Sequence, residues 1–248
     1  MASPFPLRWR AFRISKQGNA ADDYEDAAAG NVANGRFAVA DGASEASFAA
    51  IWARLLVDCF VSHPGKPWHG LDWISPLRKQ WAAEVDSLPL PWYAEEKRDL
   101  GAFATFLGLA FRPSAVGPNG YWRALAIGDC SLFHTRGGRL SSAFPMKRSE
   151  DFDNRPQLVR SRGLDAADCK HLHAHGRWQS QDRFLLMTDA LAQWFLLRLE
   201  RGHDPLAEIA HLLTEETPEV AFVDWIADRR QKSELRNDDV TLIVVDVI

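Results

Sequence analysis

Apolar residues recur at spacings of three and four over residues 44–61, where Phe48, Ile51, Trp52, Leu55, Leu56, Cys59 and Phe60 form one stripe. That period predicts a helix packed on a flat surface. The same pattern predicts helices over residues 71–85 and from Asp189 through Leu191, Trp194, Phe195 and Leu199 to near Gly202. Pro205 and Pro218 stand where proline suits a first helical turn and open two more helices, the second ending before Arg236. Short apolar runs predict strands at residues 12–15, 36–40, 103–111, 122–127, 132–135, 184–188 and 240–247.

Gly137-Gly138 predicts a tight hairpin returning through Leu140, and Asn34-Gly35 predicts another. In the second hairpin Asn31 faces Arg36, so Asp26 lies opposite Asp41 with Glu25 just beyond. Helices and strands come in blocks rather than in strict alternation, which favours antiparallel sheets covered by helices, an α+β class. No repeat, low-complexity tract or long linker interrupts the chain, and residues 1–248 read as a single domain.

Composition adds exclusions. With 46% hydrophobic and 25% charged residues the chain is an ordinary globular one, neither disordered nor disulfide-stapled. A net charge of −4 implies no nucleic-acid partner. Cys59, Cys130 and Cys169 lie far apart with no CxxC pair, which predicts free thiols in a reducing compartment. Residues 1–13 lack a signal-type apolar stretch, and no run approaches the about 18 apolar residues of a membrane span. The expected location is cytoplasmic. Ten tryptophans are expected as core bulk rather than as a binding patch.

The chemistry is expected where strands meet acids. Residues 36–40 run into Asp41-Gly42, residues 122–127 into Gly128-Asp129, and residues 184–188 into Asp189, while the last strand opens with Asn237-Asp238-Asp239. Antiparallel pairing places the end of one strand beside the start of its neighbour, so these acids are expected on one edge of a sheet, joined by Glu25 and Asp26. Any one of them alone reads as a turn or helix cap, Asp41 for the helix near Ser44 and Asp189 for the helix near Ala190. Gathered without cationic partners, they would raise one another's pKa values. Hard oxygen ligands of this kind suit Mg²⁺ or Mn²⁺, and such ions lower the pKa of bound water from 15.7 to roughly 7.

With these motifs in order, the chain resembles the metal-dependent protein serine/threonine phosphatases of the 2C type in a compact bacterial form. The blocks are Tyr24-Glu25-Asp26-Ala27, Phe37-Ala-Val-Ala-Asp41-Gly42, Gly101-Ala-Phe-Ala-Thr105, Ala126-Ile-Gly-Asp129-Cys130, Leu185-Leu-Met-Thr188-Asp189-Ala190 and Asp238-Asp239-Val-Thr-Leu-Ile-Val-Val245. The resemblance implies a four-layer α-β-β-α sandwich of two antiparallel sheets. It also implies a centre of two or three Mn²⁺ or Mg²⁺ ions. Asp41 would bridge two ions, with Asp189 and Asp238 completing one and the Gly42 carbonyl serving the other. Asp129 would hold a third with Asp189, and the catalytic pair Glu25 and Asp26 would act through waters. The implied reaction is direct attack of a metal-bridging hydroxide on phosphoserine or phosphothreonine in a protein, with a cognate kinase as a further partner. Three positions depart from the family pattern: Ala21 where an arginine often grips phosphate, Ala43 where some members carry histidine, and Ala190 in place of glycine.

Other chemistries fit less well. His171, His173 and His175 alternate and would share one face of a strand, but with no fourth ligand nearby an exposed polar face is the expectation. Gly65-Lys66 lacks the rest of a P-loop, no G-x-S-x-G elbow occurs, and no cysteine sits in a covalent-phosphatase signature. The alternative of a different class is a catalytically weak phosphatase-like module that binds a phosphoprotein or regulatory partner. The polar stretch 144–162 is expected to be a loop beside the site that screens substrates.

Overall fold

The computed structural model describes residues 5–18, 23–43, 48–63, 70–88, 98–115, 117–153, 155–163 and 169–248. Ala21, Ser44 and Gly65-Lys66 lie outside the described residues. In chain order the strands are β1 (Leu7–Ile14), β2 (Ala27–Asn31), β3 (Arg36–Ala40), β4 (Phe103–Ala104), β5 (Phe106–Pro113), β6 (Gly120–Ile127), β7 (Ser131–Arg136), β8 (Arg139–Phe144), β9 (Val159–Arg160), β10 (Leu172–Trp178), β11 (Arg183–Met187) and β12 (Val240–Val247). The helices are α1 (Ala49–Ser62), α2 (Ile74–Asp86), α3 (Asp189–Glu200), α4 (Pro205–Leu212) and α5 (Pro218–Gln231).

Two five-stranded sheets form, in the orders β1-β12-β11-β7-β8 and β10-β6-β5-β3-β2, with β4 and β9 as a separate two-stranded ribbon. Every pairing is antiparallel. The period of two sorts the side chains into layers. Along β12, Ile243, Val245 and Val247 point to the interior between the sheets, while Val240, Leu242 and Val244 pack under α3, α4 and α5. Along β5, Leu107, Leu109 and Phe111 face the same interior, and Phe106 and Ala110 lie under α1 and α2. Strands covered on both faces become nearly continuous apolar runs, which is why the sequence shows them as runs rather than as alternations. The result is the α-β-β-α sandwich. At Gly108 an added Cβ would stand 2.5 Å from the Phe60 ring, so glycine sets how closely α1 approaches its sheet.

The inter-sheet layer contains one polar lock. His134 Nε2 and Asp182 Oδ2 are 2.9 Å apart, and Arg136 donates to both Asp182 oxygens at 2.8 Å. Burial raises the Asp182 carboxyl, but bonds from Arg136, His134 and the Gln179 N–H outweigh it and hold it below its usual range. Burial pushes His134 down, toward its neutral form. Its ring stacks on Phe184 at 4.4 Å between centroids.

Differences from the sequence expectations have local causes. The first strand starts at Leu7 rather than at Phe12, because β1 is an edge strand whose exposed Arg8 and Arg13 and half-buried Arg10 mask the alternation. The run at residues 103–111 divides at Thr105 into β5, which pairs with β3 and β6, and β4, which pairs with β9. The Thr105 N–H to Asp41 carbonyl bond at 2.8 Å carries the β3 register on to the Gly42–Ala104 bridge. The described part of α1 starts at Ala49, with Phe48 preceding it in the left-handed region at φ 67°.

Candidate functional site

The β2–β3 hairpin pairs Asn31 with Arg36 and Ala27 with Ala40, so the next residues out, Asp26 and Asp41, leave the open mouth of the same hairpin. Gly42 then bridges to Ala104, and an added Cβ on Gly42 would stand 2.7 Å from the Glu25 carbonyl, so the two arms of the mouth touch. Asp129 follows β6 through Gly128, whose φ of +87° and whose closeness to Gln157 and Thr105 leave no room for a side chain. Asp189 opens α3 directly after β11, and Asp238 precedes β12. The acids therefore do not line one edge of one sheet, as the strand-end argument had it. Asp26, Asp41 and Asp129 come from one sheet and Asp189 and Asp238 from the other, at the same end of the sandwich.

Burial and mutual repulsion dominate the electrostatics. Burial, followed by the fields of Asp26, Asp189, Asp129 and Asp238, pushes Asp41 well above its usual range. Burial raises Asp26 to about 8, with Asp239 and Asp189 adding to it, and raises Asp129 to about 7, with Asp189 adding most of the rest. Asp189 is raised by burial and partly restored by Arg236. These perturbed carboxylates at one spot are what a cap reading of each acid fails to explain. Asp41 caps no described helix, and the residue preceding α3 is Thr188.

Two positions were missed by sequence reasoning. Arg236 pairs with the Asp189 carboxylate and its Nη2 lies 3.2 Å from Asp238 Oδ2, so the acids do have a cationic partner. The signal was the Arg-Asn-Asp-Asp run itself. Asp239, beside the expected ligand Asp238, is buried and accepts the N–H groups of Lys16 and Glu25 at 2.7 Å each, clamping the end of β1 and the Glu25 loop to the start of β12. Asp26 is fixed in turn: Thr241 donates its hydroxyl to Oδ2 at 2.7 Å, and Tyr24 bonds Thr241. Arg230 of α5 donates to the carbonyls of Ser15 and Asp238, tying the same loops.

Among the described residues no three carboxylate, imidazole or thiolate side chains stand gathered as a ready metal cluster, and Arg236 bridges two of the acids instead. The donor set nevertheless suits a hard divalent cation. It is all oxygen, and Asp26 Oδ1 and Asp129 Oδ1 are buried with no hydrogen-bond partner among the described residues. Such orphaned acceptors cost about 1–3 kcal/mol each unless a proton or cation meets them. Cys130 is buried, its Sγ lies 3.0 Å from Thr105 Oγ1, and burial beside Asp41 and Asp129 keeps it a thiol. The stretch 144–162 borders the site: Gln157 O packs on Gly128, β9 pairs with β4, and Asp153 acts electrostatically on Asp129. His171, His173 and His175 lie on and beside the edge strand β10, which leaves the acids at the Leu172–Ala126 end of its pairing with β6.

The family model for protein phosphatase 2C matches residues 13–227. The chain belongs to that family. In sequence, no individual curated protein matches it. Among solved structures it is similar to PppA, a key regulatory component of T6SS in Pseudomonas aeruginosa, at 20% identity over 97% of both chains with a TM-score of 0.57. It is also similar to the Mycobacterium tuberculosis serine/threonine phosphatase PstP/Ppp, at 16% identity over 97% of this chain and 98% of that one with a TM-score of 0.61. A catalytic domain of PstP in complex with two manganese ions matches at 18% identity over 97% of both chains with a TM-score of 0.54. Among the described residues no helix is long and apolar enough to cross a membrane.

Proposed function

We propose that the protein is a metal-dependent phosphatase acting on phosphoserine and phosphothreonine in proteins, as one catalytic unit over residues 1–248. The observation that carries this reading is the meeting of five mutually repelling aspartates from two sheets, two of which, Asp26 and Asp129, bury an unpartnered oxygen. Asp41, Asp189, Asp238 and the Gly42 carbonyl would hold two Mn²⁺ or Mg²⁺ ions, with Asp129 beside Asp189 for a third. Bound there, such ions supply Lewis-acid activation of a water and of the phosphoryl oxygens.

The chain's own side chains orient and neutralise. Asp26, pinned through Oδ2 by Thr241, presents Oδ1 as the group that aligns the attacking water and takes its proton. Glu25, its N–H held by Asp239 and its carbonyl against Gly42, stands at the same mouth. Arg236 provides the cation for the phosphate dianion that Ala21 does not. Cys130, kept a thiol, takes no part, in agreement with direct displacement.

Release of phosphate from phosphoserine, phosphothreonine and phosphotyrosine peptides, with Mn²⁺ and with Mg²⁺, tests this reading. Metal-dependent release from the first two is expected; no release at any metal concentration would sink it. One observation favours the second reading, a phosphatase-like binding module: Arg236 neutralises Asp189 and Asp238 without any metal. Phosphopeptide binding without turnover would select that reading.

A further inference from the structure

About 20 Å from Asp129 along β6, counting six residues back to Arg123 at about 3.3 Å each, the helical layer stops. Leu125 and Ile127 are covered by α1 and its neighbours, whereas Tyr121 is 46% exposed and Arg123 is open. There a groove of about 480 Å³ runs across β6 and the edge strand β10. The antiparallel register sets Arg177 beside Tyr121 and His175 beside Arg123, with His173 two residues further along, so all five project on one face. The Arg177 guanidinium lies over the Tyr121 ring at 5.4 Å and donates to its hydroxyl at 3.3 Å. No carboxylate lines the groove, and neither Arg123 nor Arg177 has an acidic partner among the described residues. Burial, His171 and Arg123 hold His173 below its usual range, while Arg123 and Arg177 supply fixed positive charge. On a chain of net charge −4, this is a local positive surface on a strand that pairs on one side only among the described residues.

We infer that this groove docks an acidic, extended segment of the protein substrate, which lies along the free edge of β10 while its carboxylates meet Arg123 and Arg177. The inference rests on the phosphatase reading for the word substrate, but its physical content is peptide recognition. Edge-strand addition supplies main-chain hydrogen bonds, and alternate side chains of the added strand reach the arginine face. A run of about six extended residues spans the interval to Asp129 and about three more cross to Asp41 beyond β5, so a phosphoserine at that spacing arrives at the site with its acidic flank docked. The acidic peptide is favoured over nucleic acid because the edge of β10 offers main-chain hydrogen bonds that a polypeptide strand can complete, and the patch is only one strand pair wide.

The test uses the full chain and a fluorescein-labelled, glutamate-rich decapeptide without phosphate, read by anisotropy at low and at physiological salt. Arg123→Glu/Arg177→Glu is expected to weaken binding by about tenfold or more, and Arg123→Gln/Arg177→Gln by less. On a phosphoserine peptide with an acidic flank, kcat/KM is expected to fall in parallel, with p-nitrophenyl phosphate hydrolysis unchanged. Equal binding by wild type and the double Glu variant, with both folded by circular dichroism, overturns the inference. So does tighter, arginine-dependent binding of a single-stranded oligonucleotide. Arginine-dependent peptide binding by a protein that hydrolyses nothing supports the groove while removing the phosphatase reading.

Discussion

Arg236 pairs with Asp189 at the mouth of the acid cluster and reaches Asp238 at 3.2 Å with the same nitrogen. A guanidinium and a divalent cation satisfy the same carboxylates, so they compete. Asp189 and Asp238 hold Arg236 charged against the burial that opposes it. Arg236→Gln is therefore expected to lower metal-free stability by about 1 kcal/mol, tighten Mn²⁺ binding by about tenfold and raise KM for a phosphopeptide. Calorimetric titration of Mn²⁺ into both proteins checks the second effect without any turnover; unchanged or weaker binding would contradict it.

Asp41 carries the largest burden of like charge, from four other aspartates. Removing it relieves repulsion in the metal-free protein but removes the bridge for the metals. Asp41→Asn is expected to melt at or above the wild-type temperature without metal. In wild type, metal at a hundredfold over Kd adds about 2.7 kcal/mol, or roughly 5–10 °C for a chain of this size. Differential scanning calorimetry should show that rise in wild type and none in the variant. A metal-free variant that melts well below wild type would mean that Asp41 is a structural cap.

The Thr241 hydroxyl holds Asp26 Oδ2 at 2.7 Å from across the two sheets. Thr241→Val keeps the shape and deletes the donor, leaving a buried carboxylate free to turn. The expected loss is about tenfold in kcat, with KM nearly unchanged and Thr241→Ser restoring most of it. Steady-state kinetics on one phosphopeptide decides the point.

Far from the acids, the Asp182 lock sets the acid limit of stability. Asp182 is held below its ordinary carboxylate range, so its contribution is present above about pH 4 and is lost as pH falls through the folded-state value. His134 is held below the ordinary value of about 6.5, so protonation in the unfolded chain adds a loss that begins below that pH. Both act in the same direction. Asp182→Asn is expected to cost about 2–4 kcal/mol at pH 7 and to flatten the decline below pH 4. Thermal melts from pH 3.5 to pH 8 measure both.

Much of this arrangement was legible because it depends on short-range rules. The Asn34-Gly35 turn fixed the β2–β3 register, and the pairing of Asn31 with Arg36 is the one that turn demands. The last strand, β12, stood out because coverage on both faces leaves Thr241 as the one polar residue between Val240 and Val245. Long-range partnerships were not legible. That Asp26 and Thr241 meet, or that Asp239 holds the backbone of Lys16 and Glu25, depends on how two sheets are stacked, and no local spacing encodes it. Arg236 was passed over because a cation beside acids reads as a solvated charge run until the fold turns it inward. The division of the acids between two sheets escaped for the same reason: strand ends show which residues reach an edge, not which sheet each strand joins.

The central claim, that these aspartates form a metal-dependent hydrolytic centre, is tested most directly by p-nitrophenyl phosphate hydrolysis. Metal-stripped wild type and Asp41→Asn should be titrated side by side with Mn²⁺ and Mg²⁺, with metal binding followed in parallel. The account predicts turnover that rises with metal in wild type and falls by at least about a thousandfold in the variant. Absence of both turnover and metal binding in folded wild-type protein would contradict it.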